Sequence, residues 1–274
     1  SILKGFKNIG YNVLGVEPTN IAKDANKNGI NTIQEFFSYN LSNKIKKKYG
    51  RAVIITASNV FAHVNKLSDL LKGVHNLLDD DGVFVSESHY LGSIIERFQF
   101  DSIYHEHLKY YSIKPMIKLF EKHNFTFEKV EKISNYGGSI RVYAKKIKKN
   151  FSVGKSVSKL LKQEIKKGYY KKSTYDLFAK KIVKFKDVFS RKIQNLKKKK
   201  NSIIGIGCPG RAMTLLEYCG LDNKILDYIA EQNTSLKIGL FTPGTKIPVV
   251  DEKRAIISPP DYGILLSWHY ADSI

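Results

Sequence analysis

"RAVIITASNVFAHVNKLSDLLKGVHNLLDDDGVFVSESHY", residues 51–90, places two short apolar segments on either side of a longer one. The β-branched run at 51–60 predicts a buried strand, and residues 82–90 predict a second strand. The leucine-rich stretch between them predicts a helix that ends in an Asp/Gly turn. A strand, a helix and a strand in this order predict parallel pairing in an α/β sheet.

The same alternation continues on both sides of this stretch. Upstream, short apolar segments at 11–18 and 30–37 alternate with helical patterns. Downstream, helices lead to two strand-like segments at 125–134 and 137–146, which are joined through "NYGG". Two strands with so short a connection predict a hairpin. The first 150 residues therefore predict a doubly wound parallel sheet that closes with an antiparallel hairpin.

The rest of the chain predicts two further segments. Residues 151–200 are rich in lysine and lack helix breakers, which predicts a long helix or a helical pair that links two domains. Residues 201–274 again alternate strand and helix patterns, which predicts a second, smaller Rossmann-like domain. We therefore predict three segments: a domain at 1–150, a helical linker at 151–200 and a domain at 201–274.

Composition excludes several classes of protein. The chain of 274 residues is 42% hydrophobic and 12% aromatic, which is enough for a packed core. Its net charge of +21 comes mostly from lysines spread along the predicted helices, so we expect no nucleic-acid partner. Cys208 and Cys219 are too few for a disulfide framework or a zinc ribbon. No membrane-spanning run or signal peptide is visible, so we expect a soluble, cytoplasmic protein without a membrane partner.

A glycine-rich turn opens the second domain. Gly205–Gly210 matches G-x-G-x-x-G between a strand and a helix, which is the context of a dinucleotide-binding loop. Pro209 removes one backbone N–H from this turn, and Asp227 and Glu231 are only approximately placed to bind a ribose. A structural or phosphate-contacting turn, with Arg211 beside it, is the favoured interpretation. A nicotinamide-dependent oxidoreductase remains the alternative.

The densest group of proton-handling side chains is "YHEHLKYY" at Tyr104–Tyr111. If the segment is extended, His105 and His107 share one face, and if it is helical, Tyr104, His107 and Tyr111 align. A metal site lacks nearby third and fourth ligands, so we predict no metal. General acid–base chemistry fits the composition of the run, because it offers His and Glu with hydrogen-bonding neighbours.

Three more polar residues follow predicted strands. Glu17 ends the first strand, where a carboxylate binds ribose hydroxyls in nucleotide-binding sheets, although a solvated loop glutamate is equally compatible. Asn59 and His63 follow the strand at 51–60, at the sheet edge where ligands gather. Capping or packing is the alternative role for that histidine.

Seven motifs together resemble one family. They are "GVEPT", "NVFAHV", "FQFDSIYHEHLKYYS", "NYGGSIRVYA", "GIGCPGRAMTLLEYCG", "TPGTKIPVV" and "PPDYGILLSWHYAD". In this order they resemble the sugar C-methyltransferases, which act on nucleotide-linked 4-keto-deoxysugars. The resemblance extends from about Ile2 to Asp272, and the YHEH stretch and the "GGSIR" hairpin are its most specific parts.

The resemblance implies a fold, a cofactor and a reaction. It implies a Rossmann-like domain that binds S-adenosylmethionine (SAM), a second Rossmann-like domain, and a nucleotide-diphosphate sugar as substrate. The implied reaction is methylation at C3 after base-catalysed enolisation. The family's zinc-binding region and first SAM glycine loop would precede Ser1, so we expect an N-terminally truncated chain with zinc only in the absent region. An inactive binding fragment remains an alternative.

The resemblance also implies roles for individual residues. The matching positions are His107, Glu106, Tyr104 and His63 for catalysis, Glu17 and Asn59 for the cofactor, and His105, Arg141 and Arg211 for the substrate. His107 is the implied base, and Glu106 and Tyr104 orient the base or the sugar. Arg211, next to the second glycine turn, is the implied contact of the diphosphate.

Overall fold

The computed structural model describes residues 2–148 and 153–273, and the chain divides into two compact units. The first unit comprises Ser1–Glu87, Ile113–Glu131 and Arg141–Lys159, and the second comprises Ser88–Ser112, Lys132–Ile140 and Leu160–Ile274. The predicted boundary between residues 150 and 151 lies outside the described residues. The division into segments 1–150, 151–200 and 201–274 therefore stays a prediction.

The described residues form strands, helices and short 3₁₀ turns. The strands are β1 (Gly15–Val16), β2 (Thr32–Ile33), β3 (Ala52–Ser58), β4 (Leu78–His89), β5 (Phe125–Ile133), β6 (Ser139–Lys146), β7 (Ile203–Ile206), β8 (Ile229–Glu231), β9 (Val249–Asp251) and β10 (Tyr262–Leu265). The helices are α1 (Ile2–Asn8), α2 (Ile21–Lys27), α3 (Tyr39–Tyr49), α4 (Leu67–Leu77), α5 (Leu91–Glu96), α6 (Ile113–Glu121), α7 (Lys155–Lys166), α8 (Lys172–Lys198), α9 (Ala212–Cys219) and α10 (Lys253–Ile257). Short 3₁₀ turns lie at Phe100–Ser102, Asn135–Gly137 and Trp268–Ser273.

The strands before residue 148 form two sheets. β1 and β2 pair in parallel, and a four-stranded sheet has the order β3-β4-β6-β5, with β3 and β4 parallel. Tyr143 binds Glu131 and Lys145 binds Glu128, so partner numbers fall along β5 as they rise along β6. This is the antiparallel arrangement that a short connection requires. The predicted α/β class is confirmed.

Two local predictions about residues 51–90 were wrong, namely the burial of the first strand and the Asp/Gly turn. No residue of β3 is fully buried, and Val53 is 57% exposed. The strand lies at one end of its four-stranded sheet, so it packs less than a central strand does. The Asp/Gly turn is also replaced, because β4 already begins at Leu78. Its pairing with β3 shifts register between Ala52 and Ile54, which accommodates the extra residues.

A third sheet, formed by the strands after residue 200, has the order β10-β7-β8-β9, and all its pairs are parallel. Its core contains Leu216 of α9 and Leu266 after β10, both at 0% exposure. α9 ends at Gly220, which adopts the left-handed conformation with φ 65°. Of the two alternatives for residues 151–200, one long helix or a helical pair, the described residues show two helices, α7 and α8.

Lysines dominate α8, the longest described helix, in which only Ile193 is buried. Its apolar residues do not form a run that could cross a bilayer. The same holds for every other helix within residues 2–148 and 153–273, none of which is long and apolar enough to span a membrane.

Candidate active site

Tyr104–His107 forms a tight turn in the second unit. The His107 N–H donates to the Tyr104 carbonyl at 3.0 Å, which closes the turn. These four residues are therefore neither extended nor helical, so neither of the two conditional alignments is formed. The reason is tertiary, because the preceding 3₁₀ turn Phe100–Ser102 is buried and fixes where the loop begins.

His107 is held in one tautomer by the backbone. Its Nδ1 lies 3.0 Å from the Ser102 carbonyl oxygen, which can only accept a hydrogen bond. Nδ1 therefore carries the proton in the neutral ring, and Nε2 carries the lone pair. The ring centroid lies 4.6 Å from that of Tyr104. In this tautomer Nε2 is the basic nitrogen of the ring.

Tyr104 and Glu106 form a hydrogen-bonded pair beside this imidazole. The Tyr104 hydroxyl donates to Glu106 Oε2 at 3.2 Å. Burial, together with the negative charge of Glu106, raises the pKa of Tyr104 to about 12. The phenol therefore stays protonated at neutral pH and can donate a hydrogen bond. The structure thus brings Tyr104, Glu106 and His107 together in one turn.

A buried polar network lies beneath the turn. Arg211 donates to both carboxylate oxygens of Asp101, from Nε at 2.8 Å and from Nη2 at 2.6 Å. The indole N–H of Trp268 donates to the same carboxylate at 2.9 Å, and the guanidinium lies 5.1 Å from the indole ring centroid. Gln99, which is fully buried, accepts from His89 at 3.0 Å. The carboxylate of Asp101 is therefore neutralised and well bonded although it is buried.

His89 is kept neutral by its surroundings. Burial, reinforced by the nearby positive charge of Arg211, lowers the pKa of His89 from 6.5 to about 4. Gln99 donates from its amide nitrogen to the Gly137 carbonyl at 2.7 Å, so its oxygen faces His89. His89 Nε2 therefore donates the hydrogen bond to Gln99.

The pKa of His89 predicts a loss of stability in acid. The folded state holds His89 neutral down to about pH 4, whereas the unfolded chain takes up this proton below about pH 6.5. The contribution is therefore complete above pH 6.5 and disappears as the pH falls towards 4. We expect the unfolding free energy to drop by about 2–3 kcal/mol between pH 7 and pH 4.5 from this group.

Urea titrations at both pH values, with His89→Gln as the matched variant, measure this term. Glutamine offers an amide nitrogen for the bond to Gln99 but does not titrate. The variant should lose less stability on acidification than the unmodified chain. Equal losses in both proteins would contradict the prediction.

Glu17, Asn59 and His63 lie in the first unit. Glu17 follows β1, and its Oε1 accepts from the backbone N–H and the hydroxyl of Thr19 at 2.9 and 2.7 Å. Asn59 follows β3 with φ 55°, and its N–H donates to the Glu87 carbonyl at 2.9 Å. His63 lies in the turn after β3, with its N–H 3.0 Å from the Val60 carbonyl oxygen. All three follow carboxyl ends of parallel strands, as predicted.

Arg141 on β6 is paired with a carboxylate of the same unit. Its Nε and Nη2 both donate to Glu87 Oε2, at 3.2 and 2.9 Å. Glu87 lies on β4 and is buried, whereas the Arg141 side chain keeps 35% of its surface exposed. The backbone of Glu87 also bonds to Asn59, so one residue connects two of the predicted site positions.

The Gly205–Gly210 turn is bonded to its own unit. Glu231 Oε2 accepts the Cys208 N–H at 2.8 Å, and Lys237 donates to the Cys208 carbonyl. Asp227 is bonded to Lys197 and to the backbone N–H of Ile203. Both acidic residues that a dinucleotide ribose would require are therefore engaged within the unit.

Metal ligands do not gather at the candidate site. Within the described residues, no group of three or more His, Cys, Asp or Glu side chains is arranged to hold a metal ion. His89 and His107 lie near one another, with ring centroids 6.3 Å apart, and the other bonds of these rings described above go to Gln99 and Ser102.

Comparison with known proteins identifies the family of this chain. A family model described as the C-methyltransferase C-terminal domain matches residues 134–274, more than half of the chain. The chain belongs to the C-methyltransferase family. A second model, for a methyltransferase domain, matches residues 1–130.

A curated relative matches this C-methyltransferase family chain over almost its full length. It is the C-methyltransferase NovU of Streptomyces niveus, which is 32% identical over 273 residues. The match covers 99% of this chain and 65% of that protein. The chain thus spans less than two thirds of the length of the relative.

Solved structures that match part of the chain include two methyltransferases. A SAM-dependent methyltransferase from Archaeoglobus fulgidus gives a TM-score of 0.42 at 18% identity, covering 61% of this chain and 73% of that chain. One from Anabaena variabilis gives a TM-score of 0.42 at 14% identity, covering 53% of this chain and 72% of that chain.

Four residues of the polar network beneath the turn were not predicted from the sequence, namely His89, Gln99, Asp101 and Trp268. Gln99 and Asp101 stand five and three residues before Tyr104, and Trp268 is the single tryptophan of the chain. Both positions could have been noticed in the sequence. The pairing of Asp101 with Arg211 could not, because more than 100 residues separate them.

Proposed function

We propose that this chain carries out SAM-dependent C-methylation at C3 of a nucleotide-linked 4-keto-deoxysugar, with His107 as the general base. The observation that supports this most is the Nδ1 bond of His107 to the Ser102 carbonyl at 3.0 Å. It presents Nε2 as the proton acceptor. A base in a fixed tautomer next to a protonated phenol suits the removal of a proton beside a ketone.

In the proposed reaction the ketone at C4 acidifies the hydrogen on C3. His107 Nε2 takes this proton, and the electron pair of the C–H bond moves into the enolate, so negative charge develops on the C4 oxygen. The Tyr104 hydroxyl can donate to that oxygen, because its raised pKa keeps it protonated. In the structure this single proton is donated to Glu106 Oε2, so the hydroxyl has to turn from Glu106 to the C4 oxygen as negative charge develops there.

The residues of the first unit fit a role towards the cofactor. Glu17 lies just beyond β1, and a carboxylate at such a strand end suits the hydroxyls of the SAM ribose. Asn59, in its left-handed conformation after β3, would bind the cofactor at the end of that strand. His63, in the turn that follows, is proposed as a catalytic residue. When bound, SAM supplies the methyl group that C3 receives.

The substrate residues of this proposal are His105 and Arg141. Histidine and arginine are suitable donors to sugar hydroxyls and to a diphosphate, and arginine binds phosphate oxygens through its planar fork. Arg141 retains exposed surface beside its bond to Glu87, so a second anion can reach it. The net charge of +21 favours the approach of an anionic substrate.

Hydrogen exchange in D₂O tests the enolisation step directly. The chain is mixed with a TDP-linked 4-keto-deoxysugar and S-adenosylhomocysteine, and NMR follows deuterium at C3 and at C5, since both carbons adjoin the ketone. We expect exchange at C3 and not at C5. Replacing S-adenosylhomocysteine by SAM should then give a product with one additional methyl group on C3.

The matched control is the same sugar nucleotide with its ketone reduced to an alcohol, which cannot form an enolate. Titration calorimetry with S-adenosylhomocysteine and with TDP shows whether both sites bind. If both ligands bind but C3 exchanges no faster than without protein, His107 is not a base for this substrate class. Exchange at C5 alone would place the chemistry on the other side of the ketone.

A further inference from the structure

We infer that Arg211 and Asp101 form a positioning pair that fixes the tautomer and orientation of His107, an inference that rests on the proposed function of His107 as base. The pair acts through the 3₁₀ turn Phe100–Ser102, whose last carbonyl receives the His107 Nδ1 proton. In this role Arg211 does not bind the diphosphate of the substrate.

The turn Phe100–Ser102 is anchored through Asp101. Asp101 lies in the middle of the turn and is 3% exposed. Arg211 holds its carboxylate through two N–H donors, a bidentate geometry that fixes direction as well as distance. Ser102 follows directly, so the orientation of its carbonyl depends on how Asp101 is held. The same carbonyl oxygen also lies 3.4 Å from the Tyr110 hydroxyl.

The start of the turn is held by Gln99. Gln99 immediately precedes it and is bonded on both sides of its amide, to the Gly137 carbonyl at 2.7 Å and to His89 at 3.0 Å. Arg211 Nη2 also approaches Gln99 Oε1 at 3.4 Å. Arg211 therefore contacts the residues before and within the turn that presents the carbonyl to His107.

Arg211 is enclosed by other residues of the second unit. Its side chain is only 10% exposed, and its guanidinium is in contact with the Trp268 ring. Gly210, directly before it, lies beside the Tyr104 ring, whose Cε2 would be in ordinary contact with a Cβ at that position, at 3.9 Å. Thr214 on α9 donates to the Ile103 carbonyl at 3.3 Å. α9 is thus bonded to the loop directly before Tyr104.

The first measurement reads the His107 tautomer without any activity. Long-range ¹H–¹⁵N NMR distinguishes the Nδ1–H and Nε2–H forms of each imidazole, and His107→Asn identifies the His107 signals by their loss. We expect the Nδ1–H form in the unmodified chain. In Arg211→Lys the fork is lost, and in Asp101→Asn the charge is lost, so both should show a mixture of the two tautomers.

The second measurement separates positioning from substrate binding by steady-state kinetics of C3 exchange. For Arg211→Lys we expect kcat to fall about 10–100-fold, as for a misplaced catalytic group, with KM for the sugar nucleotide within about twofold. A variant that raised KM with kcat unchanged would identify Arg211 as a diphosphate ligand and overturn the inference.

Trp268→Phe is the milder variant in case the others fail to fold. It removes only the indole N–H that donates to Asp101 and keeps an aromatic ring against Arg211. We expect a partial shift of the His107 tautomer, with circular dichroism unchanged. If Arg211→Lys and Asp101→Asn both fold and His107 keeps the Nδ1–H tautomer in each, the inference is overturned.

The two measurements also separate this inference from the proposed function. If the unmodified chain shows no C3 exchange but the variants shift the tautomer, the proposed base chemistry fails and the positioning role of Arg211 and Asp101 stands. If C3 exchange occurs and neither the tautomer nor kcat responds, the proposed function stands and the positioning role is rejected.

Discussion

His107→Ala should lower the rate of C3 hydrogen exchange by about 10²–10⁴-fold, the usual contribution of a positioned general base. Alanine removes the Nε2 lone pair that would accept the C3 proton. It also removes the Nδ1 donor that bonds to the Ser102 carbonyl at 3.0 Å, so the turn loses one contact as well. Binding of S-adenosylhomocysteine and TDP, measured by titration calorimetry, should be retained.

His107→Asn separates the two losses in that experiment. The asparagine amide nitrogen lies close to the place of Nδ1 and can still donate to Ser102, but the side chain cannot act as a base at neutral pH. We therefore expect this variant to be as slow as His107→Ala. Recovery of most of the exchange rate in His107→Asn would show that the histidine orders the turn and that another group removes the proton.

Gly138→Ala should destabilise the protein by about 3 kcal/mol, from backbone strain and overpacking together. Gly138 follows the Asn135–Gly137 turn with φ 125°, a conformation that L-residues rarely adopt. An added Cβ would lie 2.4 Å from the Ser93 hydroxyl oxygen. The neighbouring Gly137 carbonyl receives the Gln99 amide, so the strain would also reach the buried network under the YHEH turn.

Two variants divide this cost into its causes. Gly220→Ala also places a Cβ at positive φ, at 65°, but nothing lies within 4 Å of it, so strain alone should cost about 1 kcal/mol. Adding Ser93→Gly to Gly138→Ala removes the clash and leaves the strain. Urea unfolding followed by circular dichroism measures all three. A loss in Gly138→Ala no larger than in Gly220→Ala would contradict the steric argument.

Periodicity predicted most of the secondary structure. Local patterns predicted helices after residue 153, the end of α9 at Gly220 and the strands of the sheet β10-β7-β8-β9. The structure retains all of these. The burial of β3 was mispredicted for a specific reason. A run such as "AVIIT" has the same composition in a central strand and in a strand at the end of a sheet, and only the number of neighbouring strands decides its exposure.

The candidate site was predicted less completely. Composition alone singled out the YHEH run, since so many titratable side chains in eight residues are unusual in a core. The conformation of the run could not be derived from it, because extended and helical alignments were equally compatible with the spacing. Its actual form, a tight turn, depends on the buried 3₁₀ turn before it.

The role of Arg211 shows the same limit at long range. Its position beside a glycine turn predicted an anion contact, and the structure supplies the anion from within the chain, as the carboxylate of Asp101. Burial makes this pairing obligatory, since an arginine or an aspartate without a partner would be costly in the interior. Nothing in the local sequence of either residue names the other.

The sequence by itself determined the α/β class, the order of helices and strands and the residue types available for proton transfer, because these depend on periodicity and composition within short windows. Only the tertiary structure decided which nitrogen of His107 carries the proton, which side chain neutralises Asp101 and which strand is exposed. These depend on contacts between residues far apart in the chain, where burial leaves each polar group with the partner that packing brings to it.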